Sequence, residues 1–447
     1  MNKHLFCLMV AVLAVLYAHG QVAFTGVGQY PVIEVTPEAR TGLNAIYVVF
    51  DTQGVGMTYT AASDNPVTWY SYGPQGGGYA QEIQGVTRAG NVTTLAQVLP
   101  NTGYIIEEGT DRTYLWVCNY ADWVLELNDM SFGEGSPCST AHIDVDGTGE
   151  KIIYYGINGS TEVLDREIKL SYNTLEWDDS TKWQEKPVVD KFAFLSDAIE
   201  IDPPLCNTVF TLTGDRFLEQ WGLGEGIESQ TYVTQAVSCG ATAVQEDRGN
   251  NNEKGLDSGL GGSAPVHIVF TGYPTDAVVY REWQMARDQE FEDIVLQYNQ
   301  DEVDYVSTEA GTYYWRYVVA NAAGNCEYYS DTYTVTVTES ELICPNCFSP
   351  GSTEGVNDIW KVSYKSLIEF HCWIYNRWGN LVCEFTDPGQ GWDGTYHGKL
   401  VDTGVFYYVV TAKGSDGIDY KKRGAITILR YKRGSASGGG TATGGVE

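Results

Sequence analysis

The chain has 447 residues, of which 43% are hydrophobic and 13% aromatic, with 50 glycines and a formal net charge of −31. That length exceeds one domain of ~100–150 residues, and the acidity disfavours nucleic acid and anionic lipid as partners. The charge is uneven: residues 21–340 hold 15 basic and 47 acidic groups, whereas 341–447 hold 11 of each.

Residues 1–20 have the pattern of a secretory signal peptide. Lys3 supplies the positive end, 5–17 an apolar run too short to span a bilayer, and Ala18 and Gly20 the small residues of a cleavage site. Gln21 is then the expected mature N-terminus. No later segment has ~18 uninterrupted apolar residues, so no transmembrane span is expected in the mature chain.

The composition is that of a β protein, rich in Tyr, Trp, Val and Thr with glycine-marked turns. The fold class it predicts is all-β, with tandem Ig-like β-sandwich domains. Residues 21–127 form the first sandwich, with strands at 45–50, 67–70 and 114–118. A second β-rich domain covers 128–244, with strands at 151–155 and 210–213. Residues 245–264 are polar and glycine-rich, a linker or a long loop inside a sandwich. Residues 265–342 resemble an Ig or PKD-type module, with Trp283 placed like a core tryptophan and 311–321 a late strand. The best helical candidate, 282–297, has weak periodicity.

Chemistry-bearing patterns are sparse. Outside the first 20 residues the histidines are His142, His267, His371 and His397. None sits in H-E-x-x-H, and no G-x-S-x-G or P-loop occurs. Asp144, Asp146 and Glu150 with two glycines read as an acidic hairpin turn, the alternative being a calcium loop without full EF-hand spacing. Trp177 and Trp183 read as core or cross-strand aromatics, the alternative being a sugar platform. Cys344 and Cys347 have C-x-x-C spacing without a βαβ context or a second pair. No catalytic residue, metal or cofactor is expected.

Nine cysteines remain beyond Cys7. Sequence neighbours suggest Cys118 with Cys138, Cys206 with Cys239 and Cys326 with Cys344. One further pair follows from register. Residues 368–375 and 381–385 alternate as strands about a four-residue loop at 376–379. That pairing sets Ile374 opposite Leu381 and Cys372 opposite Cys383, with Cα atoms roughly 4.5–5.5 Å apart. It predicts a disulfide between Cys372 and Cys383, stabilising by about 2–3 kcal/mol.

The last ordered stretch carries a series of motifs. Phe348-Ser349-Pro350 opens it, and Asn357-Asp358 closes a loop. Asn376-Arg377-Trp378-Gly379 is a hairpin and Gly391-Trp392-Asp393-Gly394 a turn. Gly404 leads a strand containing Tyr407, and Gly424 begins the final strand. In this order, over about 346–430, the motifs resemble the gliding motility-associated C-terminal domain, the type B sorting domain of Bacteroidota type IX secretion. The loop at 351–355 departs from the family's usual N-G-D-G, so the resemblance brings no cation site here. It implies a C-terminal β-sandwich at 343–431 and export through the periplasm to the cell surface or the extracellular space. The implied partners are the type IX translocon and a PorP/SprF-like outer-membrane protein. Trp378 and Trp392 are expected to cap the core at hairpin ends, or to be read at the surface. Residues 432–447 form a glycine-rich tail. The functional expectation is a non-enzymatic surface protein for adhesion, binding or scaffolding. The alternatives are an accessory component of the secretion machinery and an extracellular hydrolase with unfamiliar motifs.

Overall fold

The computed structural model describes residues 21–133, 138–246, 259–352 and 355–429. The expected signal peptide (1–20), the centre of the expected linker (247–258) and the tail (432–447) lie outside these described residues. The fold is all-β, and the chain divides into two compact units, 1–174 with 185–234 and 175–184 with 235–447.

The first unit begins with two sheets. One has the strand order Gln21–Thr25, Gly56–Thr60, Val92–Leu95, Thr87–Ala89. The other runs Ile33–Val35, Ala45–Val49, Asp111–Asn119, Thr102–Glu108, Val67–Tyr72, Gln81–Glu82. Alternating apolar residues bury Met57, Trp69, Tyr104, Ile106 and Val117 in one cluster. The Trp69 indole donates to Thr93 Oγ1 at 3.0 Å, which satisfies its buried N–H. Further along, Glu126–Phe132, Ala141–Thr148 and Ala198–Ile201 form a three-stranded sheet. A short helix, Arg216–Trp221, is capped by Asp215, whose side chain accepts from Phe217 N and Leu218 N.

The acidic run at 144–150 is not a hairpin turn. Asp144 and Asp146 lie inside the strand Ala141–Thr148, with Asp144 opposite Ser131 and Asp146 opposite Asp129. Ala141, Ile143 and Val145 point into the core, so the period-2 pattern carries the carboxylates outward.

A buried ion pair also belongs to this unit. Arg166 and Asp215 are both fully buried, with Arg166 Nε donating to Asp215 Oδ2 at 2.8 Å. The rest of the guanidinium donates to Glu150 O at 3.0 Å and Trp123 O at 2.7 Å, and Tyr120 Oη donates to Asp215 Oδ2 at 2.9 Å. Burial raises the Tyr120 phenol well above its ordinary range, and the neighbouring Asp215 charge adds to the effect.

In the second unit, Cys239–Gln245, Val266–Pro274 and Glu302–Ser307 form one sheet. A larger sheet has Leu260–Gly262, Tyr333–Val337, Gly311–Asn321, Val278–Ala286 and Ile294–Tyr298 in order. Trp283 is fully buried, and Phe270 stacks on Trp315 with centroids 4.4 Å apart. The helical candidate at 282–297 is instead two antiparallel strands, with buried Trp283 and Met285 on the first paired to Tyr298 and Leu296 on the second. Leu260–Gly262, at the end of the expected linker, is a strand parallel to Tyr333–Val337.

Trp177 and Trp183 pack edge to face at 5.3 Å, and Trp177 lies 5.3 Å from Tyr273. The Trp183 indole donates to Tyr273 O at 2.8 Å. Gly240 lets Trp177 approach, since a Cβ there would lie 2.2 Å from its ring. These rings are packed on protein, which favours the structural alternative over a sugar platform.

The C-terminal domain follows in the same unit. Its five-stranded sheet has the order Cys347–Phe348, Asp419–Ile428, Gly404–Gly414, Leu367–Tyr375, Leu381–Phe385. Short pairs (Glu341–Ile343 with Ser363–Lys365, Thr395–Tyr396 with Lys399–Leu400) and a bridge between Trp360 and Trp392 accompany it. Buried Ser366 joins this domain to the preceding sandwich: its N–H donates to Ser263 Oγ at 2.6 Å, and its Oγ accepts from Ala264 N at 3.2 Å.

Candidate functional site

The sequence motifs converge on the C-terminal domain, and most of them turn the chain. Phe348 is buried 5.4 Å from Trp392, whose ring also meets Phe406 at 5.0 Å. Ser349 N donates to Asn357 O at 2.9 Å. Asp358 accepts from Gly351 N at 2.9 Å and Gly355 N at 2.7 Å, so its carboxylate ties these two glycines together. Asp393 Oδ1 accepts from Thr395 N at 2.9 Å and fixes the next turn. Two glycines are dictated by space. Gly394 has φ +78° and a Cβ there would meet Pro350 at 2.9 Å; at Gly391 it would meet Trp360 O at 2.6 Å. Gly404 lies opposite Ile428, and Gly424 opposite Tyr408.

The two motif tryptophans separate. Trp392 is 2% exposed and its indole donates to Thr395 O at 2.9 Å, so it caps the core as expected. Trp378 is 74% exposed at the hairpin tip, with the Arg377 guanidinium 4.9 Å from its ring centroid. It does not cap the core.

The same hairpin overturns the disulfide expected between Cys372 and Cys383. Both are free thiols. Asn376 Oδ1 accepts from Trp378 N and Asn380 N, each at 3.0 Å, and Asn376 N donates to Asn380 O. This five-residue loop sets Tyr375 opposite Leu381, and an irregularity before it sets Ile374 opposite Cys383 and Cys372 opposite Phe385. The cysteines become diagonal neighbours, with Cα atoms roughly 7–8 Å apart, beyond disulfide reach. Burial pushes the Cys372 thiol up and keeps it protonated. Peptide mapping after unfolding without reductant should therefore find Cys372 and Cys383 alkylated separately; a linked peptide would refute this register.

The other suggested pairs also fail. Cys118, Cys239 and Cys344 are free thiols, so none of the three pairs forms, whereas Cys138 and Cys326 are each disulfide-bonded. Sequence proximity was a poor guide because strand pairing sets which thiols meet. Burial pushes both Cys118 and Cys239 up to about 12.

Three of the four histidines sit half-exposed on strands beside carboxylates, and His397 lies in a turn against Tyr396. His142 Nε2 is 3.3 Å from Asp144, and His267 lies between Glu246, at 2.7 Å, and Asp304. His371 stacks on Trp373 at 3.7 Å, its Nε2 2.7 Å from Glu384. Among the described residues, no group of three or more His, Cys, Asp or Glu is placed to hold a metal ion. No helix among them is long and apolar enough to cross a membrane.

Sequence reasoning missed the outward face of the five-stranded sheet. Val405, Tyr407 and Val409 are 43%, 49% and 40% exposed. Tyr407 lies opposite Tyr375, and Val409 opposite Trp373. The alternation along 404–410 was readable; which side the protein leaves uncovered was not.

Residues 342–428 match the family described as the CHU_C Type IX secretion signal domain. The C-terminal domain is a type IX secretion signal domain. Residues 131–229 match a fibronectin type III domain. No curated protein matches the chain. Solved structures with similar stretches include a tetra-tandem repeat from the extending region of a large adhesion protein. It is 11% identical, covers 85% of this chain and 97% of its own, and has a TM-score of 0.22. The chicken CNTN1 FN1–FN3 domains are 12% identical over 68% of this chain and 99% of theirs, TM-score 0.23. Dimeric latent PorU from Porphyromonas gingivalis is 10% identical over 71% of this chain and 35% of its own, TM-score 0.16. The sorting domain and the fibronectin type III domain are both non-catalytic kinds of module.

Proposed function

We propose that this chain is exported to the cell surface by type IX secretion, and that its β-sandwich domains act there in binding, adhesion or scaffolding without catalysis. The observation that carries this reading is the sorting domain at 342–428, in a chain that also holds a fibronectin type III domain at 131–229. The domain's buried aromatics and hydrogen-bonded turns build a self-contained core, as a module recognised in its folded form requires. Its partners in this reading are the translocon and a PorP/SprF-like outer-membrane protein. The motif residues from Phe348 to Gly424 serve the reading by shaping the turns. The strongly acidic body, residues 21–340, favours solubility outside the cell over adsorption to anionic lipid.

Deleting residues 342–428 tests it. The truncated chain is expected to remain in the periplasm, protected from protease added to intact cells, while the full chain is digested. Unchanged surface exposure of the truncated chain would defeat the reading.

A further inference from the structure

On the outward face of the five-stranded sheet, side chains from neighbouring strands meet in rows. Val409 lies opposite Trp373 on one side and Arg423 on the other; Tyr407 lies opposite Tyr375 and Ala425. Leu381 extends the row from Tyr375 and is 41% exposed. Beyond it stands Trp378, 74% exposed. An aromatic and aliphatic strip therefore crosses the sheet and ends at a tryptophan on the hairpin tip. Clustered exposure of this kind marks an interaction site far more often than scattered apolar residues do.

The charges beside the strip indicate what fits it. Glu384 is already engaged, accepting from the Trp373 indole at 3.0 Å and lying 2.7 Å from His371. Asp419 lies opposite Lys413. Lys421 and Arg423 project from exposed positions along one flank, and Arg377 stacks at the tip. The flank is thus basic, in contrast to the acidic residues 21–340 of the same chain. A basic flank beside an apolar strip selects a partner with an apolar centre and carboxylates along the edge that meets Lys421 and Arg423.

We propose that this face, centred on Tyr407, Val409, Trp373 and Tyr375, is where the sorting domain docks on an acidic-edged protein surface of the export apparatus. The proposal rests on the sorting reading above and goes further by assigning the surface and the chemistry of its partner. The buried side of the same strands, with Phe406, Val410 and Ile426, holds the fold, so the two faces are separable by mutation.

The experiment uses the full chain in its host, with surface delivery read as the fraction digested on intact cells. Tyr407→Ser/Val409→Ser and Lys421→Glu/Arg423→Glu are compared with wild type and with the chain lacking 342–428. Each pair is expected to lower the delivered fraction about tenfold or more, as loss of hot-spot contacts does, while the purified variants keep the wild-type thermal midpoint. If the serine pair lowers that midpoint, the charge-reversal pair, confined to exposed positions, decides. Normal delivery of both pairs with retention of the deletion overturns the docking face and leaves the sorting reading intact. Normal delivery of the deletion overturns both. Normal delivery of the charge-reversed pair alone overturns the acidic partner. Purified wild-type chain is also mixed with vesicles containing phosphatidylglycerol. Co-sedimentation abolished by the same substitutions would assign the face to lipid and overturn the protein partner.

Discussion

Arg166→Met is expected to destabilise the first compact unit by about 3–5 kcal/mol, the cost of leaving one member of a buried ion pair alone. Asp215 would be left in a site with no solvent access without the Arg166 donor at 2.8 Å, retaining Tyr120 Oη at 2.9 Å. Glu150 O and Trp123 O would lose their partners as well. Asp215→Asn isolates the electrostatic part. The amide oxygen can still accept from Phe217 N and Leu218 N, so the helix cap survives while the Arg166 charge stands unpaired. The measurement is thermal unfolding of the full chain. For a unit of roughly 200 residues, the midpoint of the affected transition should fall by about 10 °C. The double variant Arg166→Met/Asp215→Asn should recover part of the loss, since both charges go together while the amide oxygen keeps the helix cap. A midpoint within ~2 °C of wild type in the single variants would show that the pair does not hold this unit.

Trp392→Ala and Trp378→Ala should behave oppositely, although both tryptophans belong to short glycine-containing turns. Removing Trp392 opens a cavity against Phe348 and Phe406, beside the bridge to Trp360, and should cost about 3–5 kcal/mol. The sorting domain would then unfold at much lower denaturant concentration. Trp378 stands in solvent, so its removal should change stability by less than about 0.5 kcal/mol. Equilibrium urea unfolding followed by tryptophan fluorescence separates the two. Equal losses from both substitutions would contradict the exposure difference on which the docking face depends. A stable Trp378→Ala protein with impaired surface delivery would place that side chain in recognition.

The turns within residues 348–424 were legible because their signals are local. Asn357-Asp358 and Asp393 close turns with their own neighbours, and Gly391 and Gly394 stand where a Cβ would collide. Such chemistry acts within a few residues and is written in consecutive letters. The pattern of an Ig or PKD-type module likewise revealed the strands around Trp283 and Trp315. Glycine content misled at 144–150, where the run looked like a turn and 144–148 instead belong to a strand paired with Glu126–Phe132.

By itself, then, the sequence determined that this is an all-β chain of several domains with an acidic body, and that its last domain carries a sorting module. Tertiary structure alone decided the register that parts Cys372 from Cys383, the meeting of Arg166 with Asp215, and the exposure of Trp378 beside the Tyr407 face. The physical reason is range. Turn chemistry and side-chain alternation are settled by neighbours in the chain. Register and the burial of charge depend on strands and loops that approach from tens of residues away, and no single segment encodes where they will stop.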